Sequence, residues 1–77
     1  MIWKPTRWGF EMKSGPLKIY ISQYNETDPD RWLMTCEDLN IDRFLLPIER
    51  GAPVDEAMRA AENTIKNRVL AILQVLL

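Results

Sequence analysis

Seventy-seven residues, 47% hydrophobic and 27% charged, supply one small globular core and too little apolar material for two. A formal net charge of −1 argues against a dedicated polyanion binder, though not against a local basic patch. Cys36 is the single cysteine and there is no histidine, so an intrachain disulfide is excluded and a structural zinc site has no ligand set.

The first half of the chain reads with period two. Trp8, Phe10 and Met12 alternate with Arg7, Gly9, Glu11 and Lys13, the pattern of a half-buried strand over about 7–13. Ser14-Gly15-Pro16 breaks it as a turn. Leu17, Ile19 and Ile21 then alternate with Lys18, Tyr20 and Ser22, giving a second strand over about 17–24 and an antiparallel hairpin. A polar loop follows from Asn25 to Asp30. Trp32, Met34 and Cys36 set the inward face of a third strand, about 31–37, with Arg31, Leu33 and Thr35 outward. A fourth strand spans about 41–46. Its facing is ambiguous: Phe44 and Leu46 inward leave Ile41 and Leu45 outside, and the other register buries Arg43 at a higher cost.

After Glu49-Arg50-Gly51-Ala52-Pro53 the period becomes helical. Val54, Met58, Ala61, Ile65, Val69, Ile72 and Leu76 recur at three or four, which predicts a helix over about 54–77. Pro53 suits its first turn, and Asp55 and Glu56 complement its dipole. The expected architecture is one α+β domain over 1–77: a three- to four-stranded antiparallel meander packed against one long C-terminal helix. The inner layer would hold Trp8, Phe10, Leu17, Ile19, Ile21, Trp32, Met34 and Phe44.

The helix is long for such a sheet. At 1.5 Å per residue it extends about 36 Å, against roughly 20–26 Å for strands of six to eight residues. Its last turns, Val69-Leu70-Ala71-Ile72-Leu73-Gln74-Val75-Leu76-Leu77, are apolar on every side except at Gln74. Two readings compete. Either the N-terminal arm with Ile2 and Trp3 folds over this end, or the end packs on a second copy through Leu70, Leu73 and Leu77 to make a homodimer.

Inventory leaves little room for catalysis. Histidine-dependent nucleophile systems are absent, and Cys36 reads as a small core residue. Glu26, Asp28 and Asp30 in the polar loop, and Glu37, Asp38 and Asp42 further on, lack the glycine hinge and spaced glutamate of a calcium loop. Three isolated glycines make no phosphate loop. No metal or cofactor is therefore expected. The outer sheet face is more distinctive. Tyr20, Tyr24 and Leu33 would lie there beside Arg7, Lys13, Lys18 and Arg31, a composition shared by protein-contact surfaces and by base-stacking sheets. The opening Met1-Ile2-Trp3-Lys4-Pro5 has no signal-like apolar run and no stretch is long enough to span a bilayer, so a cytoplasmic location is expected. Asn25-Glu26-Thr27 matches a glycosylation acceptor, which has no bearing there.

The layout of Trp8, Leu17-Lys18-Ile19-Tyr20-Ile21, Arg31-Trp32 and Asp55-Glu56-Ala57-Met58-Arg59-Ala60-Ala61-Glu62 resembles small accessory proteins of phages and mobile elements. In these a β-meander precedes an alanine-containing helix, and some of them are CRISPR inhibitors. The resemblance spans roughly residues 7–70 and is one of fold and size. It implies a protein that works by binding, in the host cytoplasm if phage-encoded, and assigns no functional residue. The expectation is a non-catalytic protein–protein interaction module with Tyr20, Tyr24, Arg31 and Leu33 at the contact face. The alternative is a small nucleic-acid-binding module using Arg7, Lys13, Lys18, Tyr20 and Tyr24.

Overall fold

The computed structural model describes residues 2–25 and 27–76. Five strands, β1 (Lys4–Pro5), β2 (Gly9–Ser14), β3 (Leu17–Asn25), β4 (Asp28–Cys36) and β5 (Ile41–Leu45), form one antiparallel sheet in chain order. A single 3-10 turn, Glu37–Leu39, links β4 to β5, and the helix α1 (Val54–Leu76) follows. The architecture is α+β, with five strands where the sequence suggested three to four.

The extra strand comes from a hairpin that periodicity does not reveal. Pro5 pairs with Phe10, and the Thr6 N–H donates to the Gly9 carbonyl at 2.8 Å. The Gly9 N–H donates back to the Thr6 hydroxyl at 3.1 Å. Arg7 and Trp8 are left at the tip. Trp8, expected in the inner layer, is therefore 69% exposed, because β2 begins only at Gly9.

The β2–β3 connection follows its residues closely. Ser14 pairs with Leu17 across a Gly15–Pro16 loop, and Gly15 has φ +57°, as the first central position of a tight hairpin demands of glycine. The polar segment after β3 is shorter than expected. Asn25 already pairs with Asp28, so most of that segment is strand. The ladder is irregular between Gln23↔Trp32 and Asn25↔Asp28, and Pro29 falls there, where a missing donor costs least.

The ambiguity over the fourth predicted strand disappears at a bulge. Met34 pairs with Phe44 and Cys36 with Ile41, so Thr35 faces both Asp42 and Arg43. Arg43 adopts φ +50°, and its N–H donates to the Thr35 hydroxyl at 3.3 Å. The inserted residue resets the alternation. Ile41 and Leu46 are both buried, Arg43 stays outside, and Phe44 lies opposite Met34 at the rim, 36% exposed. Ile41, expected outward, is thus a core residue.

The core lies between the sheet and α1. Met12, Ile19, Ile21, Trp32, Met34, Cys36, Ile41 and Leu46 meet Ala57, Ala61 and Ile65 of the helix. The two alanines, both fully buried, let the helix backbone come close to the sheet. Phe10 and Trp32 meet with ring centroids 6.4 Å apart in a tilted arrangement. The linker is fixed at its ends: Gly51 N–H donates to Asp30 C=O at 3.2 Å and Glu56 N–H to Pro53 C=O at 3.0 Å.

Beyond Ile65 no described side chain of α1 is buried. The chain reaches 43 Å along its longest axis and only 22 and 19 Å across. The N-terminal arm does dock on the helix, but at its middle: the Trp3 indole N–H donates to the Glu62 carboxylate at 3.1 Å, and Ile2 remains exposed. The arm therefore does not enclose residues 69–75. No described helix is long and apolar enough to cross a membrane.

Candidate interaction surfaces

The outer face of the sheet is built in rows across the strands. Gly9, Ser22, Leu33 and Leu45 form one row by direct pairing, and Glu11, Tyr20 and Thr35 form the next. Lys13 pairs with Lys18 below them. Leu33 faces outward as its position in β4 implies, yet it is only 6% exposed and lies apart from the core cluster. Its expected display is corrected: Ser22 and Leu45 on either side shield it, and it forms a floor instead of a projection.

Of the four residues singled out for partner contact, two come together. Tyr24 and Leu33 line a groove of about 420 Å³ with Trp8, Ser22, Gln23, Thr35 and Arg43. Tyr20 lies elsewhere, in a depression shared with Pro16, Lys18, Glu37 and Asp38. Arg31, exposed and engaged in its own interaction, lies by Trp32, Leu45, Pro47 and Arg50 on the β5 side. The sequence reading missed Trp8 and Arg43 as members of the groove. Each is placed by a local departure from regular alternation, the hairpin tip in one case and the bulge in the other.

Two cations of this face already lie over rings. The Arg7 guanidinium carbon is 5.2 Å from the Trp8 ring centroid, and Lys18 Nζ is 5.3 Å from that of Tyr20. Hydrogen bonding to Tyr20, with its charge interaction and smaller contributions from Glu11 and Glu37, raises the Lys18 pKa above its ordinary value. The Lys18 backbone N–H also donates to the Asp38 carboxylate at 3.1 Å, tying the 3-10 turn to β3.

The second surface is the end of α1. Leu70 and Leu73 are each 48% exposed and Val75 is 85% exposed, with Val69 and Ile72 also open to solvent. Leu77, the third residue expected at a dimer contact, lies outside the described residues. On the side toward the 3-10 turn, Leu39, Ala71, Ile72 and Val75 line a shallow apolar groove with Arg68 at its rim. An apolar surface of this kind on one element is costly to leave in water.

Among the described residues no group of three or more histidine, cysteine, aspartate or glutamate side chains is arranged to hold a metal ion. Glu26 lies outside those residues. Cys36 is free and buried under the sheet. No family model, no curated protein and no solved structure matches this chain.

Proposed function

We propose that this chain is a non-catalytic protein–protein interaction module, homodimeric through its helix end, that acts by occupying a surface on a larger protein. The mode of action is that of the accessory inhibitors of phages and mobile elements, CRISPR inhibitors among them, which its layout resembles. One observation supports the reading above the others: the last buried side chain of α1 is Ile65, and residues 66–75 are all exposed, although Val69, Leu70, Ile72, Leu73 and Val75 among them are apolar. Burial of apolar surface contributes about 25 cal/mol per Å². The same turns in a second copy supply the matching apolar surface, and a two-fold arrangement places like on like.

The nucleic-acid alternative has weaker support. Arg7 and Lys18 are each stacked on an aromatic ring of the same chain, and Glu11 sits opposite Tyr20 in the middle of the face. A phosphate backbone would find no continuous basic track there.

Light scattering over a dilution series tests the dimer. We expect twice the chain mass at micromolar concentrations, falling to the chain mass on dilution, and a monomer at all these concentrations for Leu70→Glu and Leu73→Glu. A monomeric wild-type chain, with a mass indifferent to either substitution, would remove the second copy from the proposal.

A further inference from the structure

The groove on the outer sheet face has a definite chemistry. Trp8 is held at the tip of the β1–β2 hairpin by the reciprocal Thr6–Gly9 hydrogen bonds, and so stands exposed for a structural reason. Tyr24 provides a second exposed aromatic ring, and Leu33 provides the floor. Two hydroxyls, those of Ser22 and Thr35, line the groove as well. Among the described residues its charged lining residue is Arg43, and no described carboxylate lines it. Arg43 is set in place by the bulge, with its N–H on the Thr35 hydroxyl.

We infer that this groove docks a short protein segment that inserts one apolar or aromatic side chain between Trp8 and Tyr24 and presents a carboxylate to Arg43. The inference rests on the reading of the chain as a protein-interaction module and names the partner chemistry of that module. Charge complementarity decides the occupant. The Arg43 guanidinium in a largely apolar slot matches one carboxylate beside one anchor, in a charge-assisted and often bidentate pair. Single-stranded nucleic acid would need cations following its backbone for several nucleotides. Below the groove the face turns mixed, with Glu11 among the cations. Anchors of this type, aromatic walls around a desolvated pocket, carry most of the energy at protein interfaces.

The test uses the full chain labelled with 15N and a panel of capped pentapeptides. Each peptide has Leu, Phe or Trp at its centre, flanked by aspartates in one series and by lysines in the other. We expect the aspartate series to shift the Trp8 indole signal and the amides of Ser22, Tyr24, Leu33, Thr35 and Arg43. Affinity should exceed that of the lysine series by about tenfold, the worth of roughly 1.4 kcal/mol of charge pairing. Arg43→Glu should invert the preference between the series, and Trp8→Ala should abolish both. Four results would overturn the inference: no shifts with either series, equal binding of the two, stronger shifts of the same amides by a 12-nucleotide oligothymidylate, or shifts of those groove amides on concentrating the unliganded chain. Repeating the titration with Leu73→Glu separates this outcome from the dimer, because the groove and the helix end share no residue.

Discussion

Gly9 sets the spacing of the sheet at the edge of the proposed groove. A β-carbon built there would fall on the backbone carbonyl of Ile21, well inside contact distance, and a carbonyl within the ladder cannot swing aside. Gly9→Ala should therefore destabilise the chain by roughly 1–3 kcal/mol, the usual cost of forcing extra volume into a packed site. Urea denaturation reads it as a lower midpoint at constant slope. An unchanged midpoint would show that β2 and β3 can part without penalty. The same residue explains a limit of the sequence. Alternation correctly set Phe10 and Met12 inward, but continuing it back to Trp8 assumed that the strand continued, whereas the hydrogen bonds between Thr6 and Gly9 turn the chain. Leu33 shows a second limit. Its facing followed from period two, while its burial depends on Ser22 and Leu45, neighbours on other strands that no local pattern specifies.

At the scale of elements, α1 and the β2–β3 hairpin were legible because each carries an uninterrupted period and a suitable terminus: Pro53 with Asp55 and Glu56 in one, Gly15-Pro16 in the other. The edge strands were legible only in part: β5 was expected over about 41–46 with its facing open, and β1 was not expected at all. Lys4–Pro5 is too short to show any period, and β5 contains a bulge that breaks its alternation between Ile41 and Phe44. A one-residue insertion is invisible to a period-two reading, which then has to choose between two unsatisfactory registers. Backbone conformation at the bulge gives a direct check. Arg43 occupies the left-handed region, which costs a β-branched residue more than glycine. Arg43→Ile should be less stable than Arg43→Gly by roughly 1–2 kcal/mol in urea denaturation. Equal stability of the two variants would mean that the bulge does not hold β5 in register. The groove was half legible for the same reason: Tyr24 and Leu33 follow the period, and Trp8 and Arg43 occupy the two places that leave it.

For the whole molecule, the decisive feature is a mismatch between layers. The sheet and the helix are joined through Ala57, Ala61 and Ile65, and the final turns continue past that contact with apolar residues on their surface. The arm that might have covered them is committed to Glu62 through Trp3. A core of this size gives a small stability margin, so covering the helix end should strengthen fold and assembly together. Hydrogen exchange of the backbone amides of residues 66–75, followed as a function of protein concentration, tests this most directly. Protection there should rise as the chain is concentrated, while the central amides of β3 and β4 stay equally slow throughout. Protection at 66–75 that already matches the central strands in dilute solution, and does not change with concentration, would contradict the account.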